Sequence, residues 1–369
     1  MIKKKRLLLV TSEFPPQPGG IGNHAHHLAK HLQKNHFNVQ VICDCRSFDG
    51  QEEQKFDHSL PYKVHRVTRQ HQRIFMYLKR IQLLFKIIKD VDIVIGSGKF
   101  PLWVVAFSSL FYSKDFIAIV HGTEVNFKKT SLKIAIDLAL KRFTKVIAVS
   151  EYTESLISHL NLKHLFVIPN GFDLELWSQD SIEPMNLFGS PKLITVGNVT
   201  ERKGQLNVIR QIPELLKEFP QLHYHCVGIP TEQHRFLAEA RTLKIDTHVT
   251  FHGQVDDRAL RQLLVSSDVF VMLSSPTATG DVEGFGIAIL EANALGLPAI
   301  GSIGCGIEDA IKSDVSGFLI SHNDSGQFIN ALKTLLENKN EFSEQAKSWA
   351  KRFDWKLVIN RYIEVIEER

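Results

Sequence analysis

The sequence predicts an α/β chain built as two Rossmann-like domains facing each other across a cleft. Three observations carry that reading. Short apolar runs alternate with helical patterns along the chain, as in "RLLLVTS", "VDIVIGSG" and "DFIAIVHGTE", and such alternation argues for parallel strands covered on both faces. The pattern breaks once, in the polar, irregular "LWSQDSIEPMNLFGSP" of residues 176–191, and then restarts. The length of 369 residues suits two domains of ordinary size. Residues 1–175 are therefore read as an amino-terminal domain, 176–191 as a linker and 192–352 as a carboxy-terminal domain. A closing helix over 353–369 is expected to cross back onto the first domain.

In order, "RLLLVTS" is a strand running into "SEFPPQPGGIG", followed by a helix over residues 23–34 and the strand "NVQVICD". A long amphipathic helix over 76–89 precedes "VDIVIGSG", a helix over 102–112 precedes "DFIAIVHGTE", and a helix over 131–143 precedes "KVIAVSE" and "HLFVIPNGFD". The second half reads as "KLITVGNVTERKG", "LHYHCVGIP", "HVTFHGQV" and "VFVMLSS" with helices between them, then residues 281–301 and "GFLI". In sheets of this kind ligands sit at the carboxyl ends of the strands.

Hydrophobic residues make up 44% and charged residues 23%, a globular composition. The apolar run of residues 7–10 is too short for a signal-peptide core, and no run approaches the roughly 20 residues that span a bilayer. A soluble cytosolic protein is expected. The four cysteines lack zinc spacing, and Cys43 and Cys45 are expected to be free thiols. Charge is unevenly spread: residues 1–165 hold 25 Lys and Arg against 13 Asp and Glu, and residues 166–369 hold 19 against 27. A basic first half suits a polyanionic or anionic-membrane partner. Residues 68–90, with Arg69, Arg73, Lys79, Arg80, Lys86 and Lys89, and residues 126–145 are basic and amphipathic. They fit a membrane surface or a helix packed on the sheet with solvated lysines outside, and both readings stay open. Nucleic acid is excluded as a partner, because the aromatics, chiefly Phe, sit in apolar runs rather than between basic residues.

Three stretches carry chemistry. "PGGIG", residues 18–22, places glycines at a helix start, where backbone N–H groups can approach an anion; a tight turn without ligand is the alternative. No GxGxxG is present, so a dinucleotide fingerprint is unsupported. "GNVTERKG" puts Arg202 and Lys203 between a strand and a helix, which suits a diphosphate or a solvated charge pair. "DVEGFGIAILEANALGLPAIG", residues 281–301, sets Glu283 among glycines and Glu291 in an aliphatic run. A buried carboxylate costs several kcal/mol unless something hydrogen-bonds it. A helix starting near Gly286 would turn the amides of Phe285, Gly286 and Ile287 outward as an anion site. Glu291 then suits vicinal hydroxyls such as those of a ribose, and Glu283 a sugar hydroxyl. His24, His27 and His31 share one helix face without an Asp, Glu or Cys, so they are expected to line the acceptor side or face solvent rather than bind zinc. Asp90-Val91-Asp92 reads as a helix stop and a strand start, not as a Mg²⁺ site.

Taken together these stretches resemble the retaining glycosyltransferases of family 4, which have the GT-B fold. The likeness rests on Glu283 and Glu291 with seven residues between them, "GGIG", "HGTE" at 121–124, "VSEY" at 149–152, "PNGFD" at 169–173, "RKG" at 202–204 and Trp355, in order over nearly the whole chain. "GDVEGFGIAILEA" is similar, over that one motif, to mannosyltransferases acting on phosphatidylinositol mannosides. The resemblance implies that Gly20, in the loop with Gly22, donates its amide to the donor diphosphate, which Arg202 and Lys203 neutralise. It implies backbone contacts from Phe285, Gly286 and Ile287, ribose held by Glu291, the transferred sugar by Glu283, and His121 beside the anomeric carbon. Base contacts are expected near Gly253 and Val255. Asn198 stands where the family often has an arginine, and "GSIGCGIED" replaces a more usual loop, leaving Glu308 without a role.

The implied chemistry is front-face transfer without metal or other cofactor, with fixed cations aimed at the leaving diphosphate. The implied function moves a hexose, mannose from GDP-mannose first and a UDP-sugar next, to a glycan or lipid-linked acceptor of surface polysaccharide or glycolipid. Peripheral attachment to the inner face of the plasma membrane remains an option. Two alternatives stay open: a GT-B nucleotide-sugar protein that transfers nothing, an epimerase or sensor, and a dehydrogenase, which the missing fingerprint disfavours.

Overall fold

A computed structural model describes residues 4–17, 19–68, 73–177 and 182–368. Pro18 of the glycine turn, Arg69, the Arg73 side chain and residues 178–181 of the expected linker lie outside the described residues. The chain divides into two compact units, Met1–Gly171 with Trp355–Arg369, and Phe172–Asp354.

The first unit holds seven strands: β1 (Arg6–Thr11), β2 (Asn38–Asp44), β3 (Lys63–Val67), β4 (Ile93–Ser97), β5 (Asp115–Val120), β6 (Lys145–Ala148) and β7 (Leu165–Val167). They form one parallel sheet in the order β3-β2-β1-β4-β5-β6-β7, with Leu7 opposite both Val39 and Ile93. Leu7, Leu8, Leu9 and Val10 are all buried, although they point to alternate faces, as a strand covered on both sides requires. The covering helices are α1 (Gly20–Lys34), α2 (Gln51–His58), α3 (Arg73–Ile87), α4 (Lys99–Ser108), α5 (Thr130–Leu140) and α6 (Glu151–Ser155). One core joins Leu84 of α3, Leu102 of α4 and Ile136 of α5 to Leu8, Val94 and Ala118.

Two elements between β2 and α3, namely α2 and β3, carry no signal in the sequence pattern. In "QEEQKFDH" only Glu53 is buried, so no apolar stripe announces the helix. In "KVHRV" only Val67 is fully buried. Arg80, counted among the basic residues of α3, is not solvated: it is 1% exposed, pairs with Asp44 and lies 4.4 Å from the Phe100 ring centroid.

The second unit holds β8 (Lys192–Val196), β9 (His223–Val227), β10 (Val249–Gly253), β11 (Val269–Met272), β12 (Ala299–Ser302) and β13 (Gly317–Ile320). They form a parallel sheet in the order β10-β9-β8-β11-β12-β13. Its helices are α7 (Gln205–Glu218), α8 (Gln233–Thr242), α9 (Asp257–Val265), α10 (Ile287–Ala294), α11 (Ser325–Glu337) and α12 (Lys339–Ala350). Ile209, Phe236 and Phe328 pack with Tyr224, Val271 and Ile300 in one core. The last helix, α13 (Trp355–Glu367), returns to the first unit and packs on α1.

In both sheets chain order reverses beside the first strand, between β1 and β4 and between β8 and β11. The helices on either side of such a point diverge and leave a crevice at the strand ends. The loops after β1 and β8 carry the glycines and cations picked out above. Among the described residues no helix is long and apolar enough to cross a membrane, and all four cysteines are unpaired.

Candidate active site

In the second unit, β8 ends at Val196 and the chain turns through Gly197 and Asn198 into a short 3-10 turn, Glu201–Lys203. Gly204 then starts α7 with φ +79, and a Cβ there would lie 2.1 Å from the Leu273 carbonyl oxygen. Only glycine permits that approach, which holds Arg202 and Lys203 against the loop after β11. Both cations meet the Glu283 carboxylate on one oxygen, Arg202 through Nη1 and Lys203 through Nζ at 2.7 Å. Asp281 takes the Arg202 Nε at 3.4 Å. Burial works to raise the Glu283 carboxyl, but the Lys203 ammonium and the Arg202 guanidinium outweigh it and bring it down to about 2.

With no ligand present, the Arg202–Lys203 pair is engaged by Glu283, which a diphosphate would have to displace. The Gly286 amide, expected to turn outward, donates to the carboxylate of Glu283, three residues before it in the chain. Asp281, unremarked in the sequence, belongs to the same cluster; its place two residues before Glu283 was the available signal.

Glu291 is the fifth residue of α10. Among the described residues its carboxylate has no hydrogen-bond or ion-pair partner. Burial raises its pKa to about 7, with Lys203 opposing and Asp257 assisting the rise. The residue as a whole is half-buried, and burial of the carboxylate accounts for the rise. Phe285 is buried with its ring 5.9 Å from that of Phe353; Ile287 is half-buried. A Cβ on Gly253 would meet nothing within 4 Å, and Val255 beside it is half-buried. Asn198 is exposed, outside the ion cluster. Glu308 accepts the Gly304 backbone N–H and so closes its own loop.

In the first unit α1 begins at Gly20, where a Cβ would meet nothing within 4 Å among the described residues. Gly22 serves packing, since a Cβ there would lie 2.9 Å from the Phe14 backbone nitrogen. The Glu13 carboxylate lies where a Gly19 Cβ would sit, with Oε2 at 2.2 Å from that position. His121 follows β5. Its Nε2 is 2.9 Å from Ser97 Oγ at the end of β4, and its backbone N–H donates to Glu124. Burial lowers the His121 pKa to about 4, which leaves it neutral at pH 7. Burial raises Glu124 to about 7, hydrogen bonds from backbone N–H groups opposing the rise; among the described residues Oε2 has no hydrogen-bond partner. Of the two expectations for the helix histidines, exposure to solvent does not hold: His24 and His31 are buried, and His27 and His31 stack on Trp355 at 5.9 Å. The apolar face of α1 seats them under α13 rather than in solvent. Among the described residues no group of three or more His, Cys, Asp and Glu could hold a metal ion. Asp92 accepts the Arg6 backbone N–H at 2.9 Å.

Comparison with known proteins bears on the family and the fold. Residues 18–176 match the family model described as Glycosyltransferase Family 4, and residues 179–353 match Glycosyl transferases group 1. The chain is 24% identical to a GDP-mannose-dependent alpha-(1-6)-phosphatidylinositol monomannoside mannosyltransferase of Mycolicibacterium smegmatis, over 98% of both chains. It is also 24% identical to the glycogen synthase of Mycobacterium tuberculosis, over 96% of this chain and 92% of that one. Among solved structures, Anabaena Alr3699/HepE in complex with UDP and glucose superposes with a TM-score of 0.78 at 20% identity, covering 98% of this chain and 99% of that one. The sucrose-phosphate synthase of Thermosynechococcus elongatus gives 0.81 at 16% identity, covering 98% of each. These likenesses identify the fold as GT-B. With one half matching Family 4 and the other group 1, the chain belongs to the family 4 glycosyltransferases and transfers sugar from a nucleotide sugar.

Proposed function

We propose that the protein is a retaining, metal-independent hexosyltransferase. Its donor is a nucleoside-diphosphate hexose, GDP-mannose first and a UDP-sugar second, and its acceptor a glycan or lipid-linked glycan of surface polysaccharide or glycolipid synthesis. The observation that carries the reading is the half-site of the second unit: a carboxylate, Glu291, without a hydrogen-bond or ion-pair partner among the described residues and within the field of Lys203, with Lys203 and Arg202 gathered on Glu283. Glu291 accepts the two ribose hydroxyls. The diphosphate takes Arg202 and Lys203 away from Glu283, which is then free to accept a hydroxyl of the transferred sugar. Charge that develops on the leaving diphosphate meets two fixed cations, the role that a divalent metal would otherwise fill. The acceptor hydroxyl enters on the face the diphosphate leaves, so the anomeric configuration is kept. His121, neutral at pH 7, lies beside the reacting carbon.

The mannose preference is supported by the mycobacterial relatives, and the UDP-sugar alternative by the Anabaena structure. The test is turnover of GDP-mannose and UDP-glucose with and without EDTA, reading released diphosphate and the anomeric configuration of the product by NMR. Loss of activity in EDTA, or an inverted product, refutes the mechanism; failure with GDP-mannose but turnover of UDP-glucose refutes the first donor choice.

We further propose that the first unit attaches peripherally to an anionic membrane surface. The two readings of its basic helices are compatible, since α3, α4 and α5 pack one side on the sheet and expose apolar side chains on the other. Phe75, Phe107, Phe111, Ile134 and Leu138 are between 48% and 62% exposed, with Lys79, Lys128 and Lys129 exposed nearby in sequence. Co-sedimentation with phosphatidylglycerol vesicles but not with phosphatidylcholine vesicles is expected; equal recovery with both contradicts it.

A further inference from the structure

The buried histidine of α1 has no place in the chemistry described so far. His24 is 1% exposed and Tyr362, on α13, is fully buried; the tyrosine hydroxyl is 2.8 Å from His24 Nε2. The other side of the imidazole meets His121: the two ring centroids are 5.0 Å apart at 80°, edge to face. Trp355, also on α13, packs on His24 at 5.3 Å and on His27 and His31. A Cβ on Gly171 would lie 2.8 Å from the Trp355 ring, so backbone closes the indole on that side.

His121 is thus held at two places. Ser97 fixes its Nε2, and the His24 ring fixes its plane. Edge-to-face aromatic contacts have a preferred geometry, and a ring packed at interior density has few alternative rotamers. The hydrogen bond to Tyr362 in turn fixes the His24 ring. Among the described residues it also supplies the one hydrogen bond that imidazole has, because His24 Nδ1 is buried there without a partner. Burial, then His121 and His27, drives the His24 pKa well below its ordinary value, so it stays neutral and places no charge against His121.

We propose that His24 and Tyr362 are positioning residues for His121, so that the carboxy-terminal helix, far away in sequence, sets the geometry of sugar transfer. The proposal rests on the reading that His121 touches the donor sugar. Misplacing such a group by a fraction of an ångström lowers turnover without weakening binding made elsewhere.

The experiment compares Tyr362→Phe, His24→Phe and His121→Ala with the wild type, each alone and with Tyr362→Phe combined with His121→Ala. The assay follows diphosphate release from whichever of GDP-mannose and UDP-glucose the wild type consumes. Tyr362→Phe keeps the ring and removes only the hydroxyl; it carries the test if His24→Phe does not fold. A roughly tenfold loss in kcat is expected for Tyr362→Phe, with donor KM within twofold. In the His121→Ala background the same change should have no further effect, because coupled residues are not additive. A purely structural role would lower kcat by the same factor in both backgrounds, or leave kcat alone and lower only the melting temperature; either result overturns the proposal. If His121→Ala keeps full turnover, the reading of His121 is the part that fails, and the positioning role falls with it.

Discussion

Replacing Glu283 by glutamine should tighten nucleoside-diphosphate binding while abolishing transfer. The side chain keeps its shape, and its amide oxygen can still accept the Gly286 N–H, but it no longer competes for Lys203 and Arg202. The size of that competition follows from the carboxyl pKa, brought from 4.5 to about 2 although burial works the other way. At 1.36 kcal/mol per unit, its ionised form gains about 3 kcal/mol from these surroundings. A diphosphate must displace much of that interaction, so Glu283→Gln should bind UDP or GDP between about ten- and a hundredfold more tightly, at 1.4 kcal/mol per decade. Transfer should fall at least about a hundredfold, since the contact to the sugar hydroxyl is lost. Arg202 keeps Asp281 at 3.4 Å, so the apo fold should lose only about 1–3 kcal/mol. Isothermal titration of wild type and variant with the two diphosphates measures the first effect, and diphosphate release the second. Unchanged or weaker diphosphate binding by a folded Glu283→Gln protein refutes the exchange of carboxylate for phosphate.

Three further outcomes follow from the geometry. Glu291 accepts hydroxyls as a carboxylate and has its pKa raised to about 7 by burial; diphosphate affinity should therefore fall about tenfold per pH unit below 7 and level off above it, and Glu291→Gln should flatten the profile. Glu124, also raised to about 7 by burial, contributes stability that is complete below pH 4.5 and lost as pH rises through 7, about 3 kcal/mol in all; urea midpoints should show that loss in the wild type and its absence in Glu124→Gln. Gly204→Ala places a Cβ 2.1 Å from the Leu273 carbonyl oxygen at φ +79, and a loss on the order of 2–4 kcal/mol is expected in denaturant unfolding.

The sheets were legible because buried parallel strands are written as unbroken aliphatic runs: "LLLV", "IVIG" and "FIAIV" all became strands. What escaped was amphipathic in the wrong measure. The helix α2 buries one glutamate and no apolar stripe, and β3 is a largely polar edge strand. At the site, residue type and spacing picked out Glu283, Glu291, Arg202 and Lys203, but not their pairing. A sequence shows that charges lie near a cleft; it does not show which of them neutralise one another before a ligand arrives. The Gly286 amide was misread for that reason, and Asp281 was not singled out. The histidines of α1 were misread for another: their burial depends on Trp355 and Tyr362, more than 300 residues later, and the helix face alone carries no trace of that partner.

The central claim is that Glu291 holds the ribose of a nucleotide sugar. The most direct measurement titrates wild type and Glu291→Ala, without metal, with UDP and GDP and with their 2′-deoxy counterparts. A hydrogen bond to a charged group contributes about 1.5–3 kcal/mol, so the wild type should bind one ribonucleoside diphosphate at least about tenfold more tightly than its deoxy form, and Glu291→Ala should bind both alike. Equal binding of the ribo and deoxy forms by the wild type, or a preference that survives in Glu291→Ala, would contradict the account.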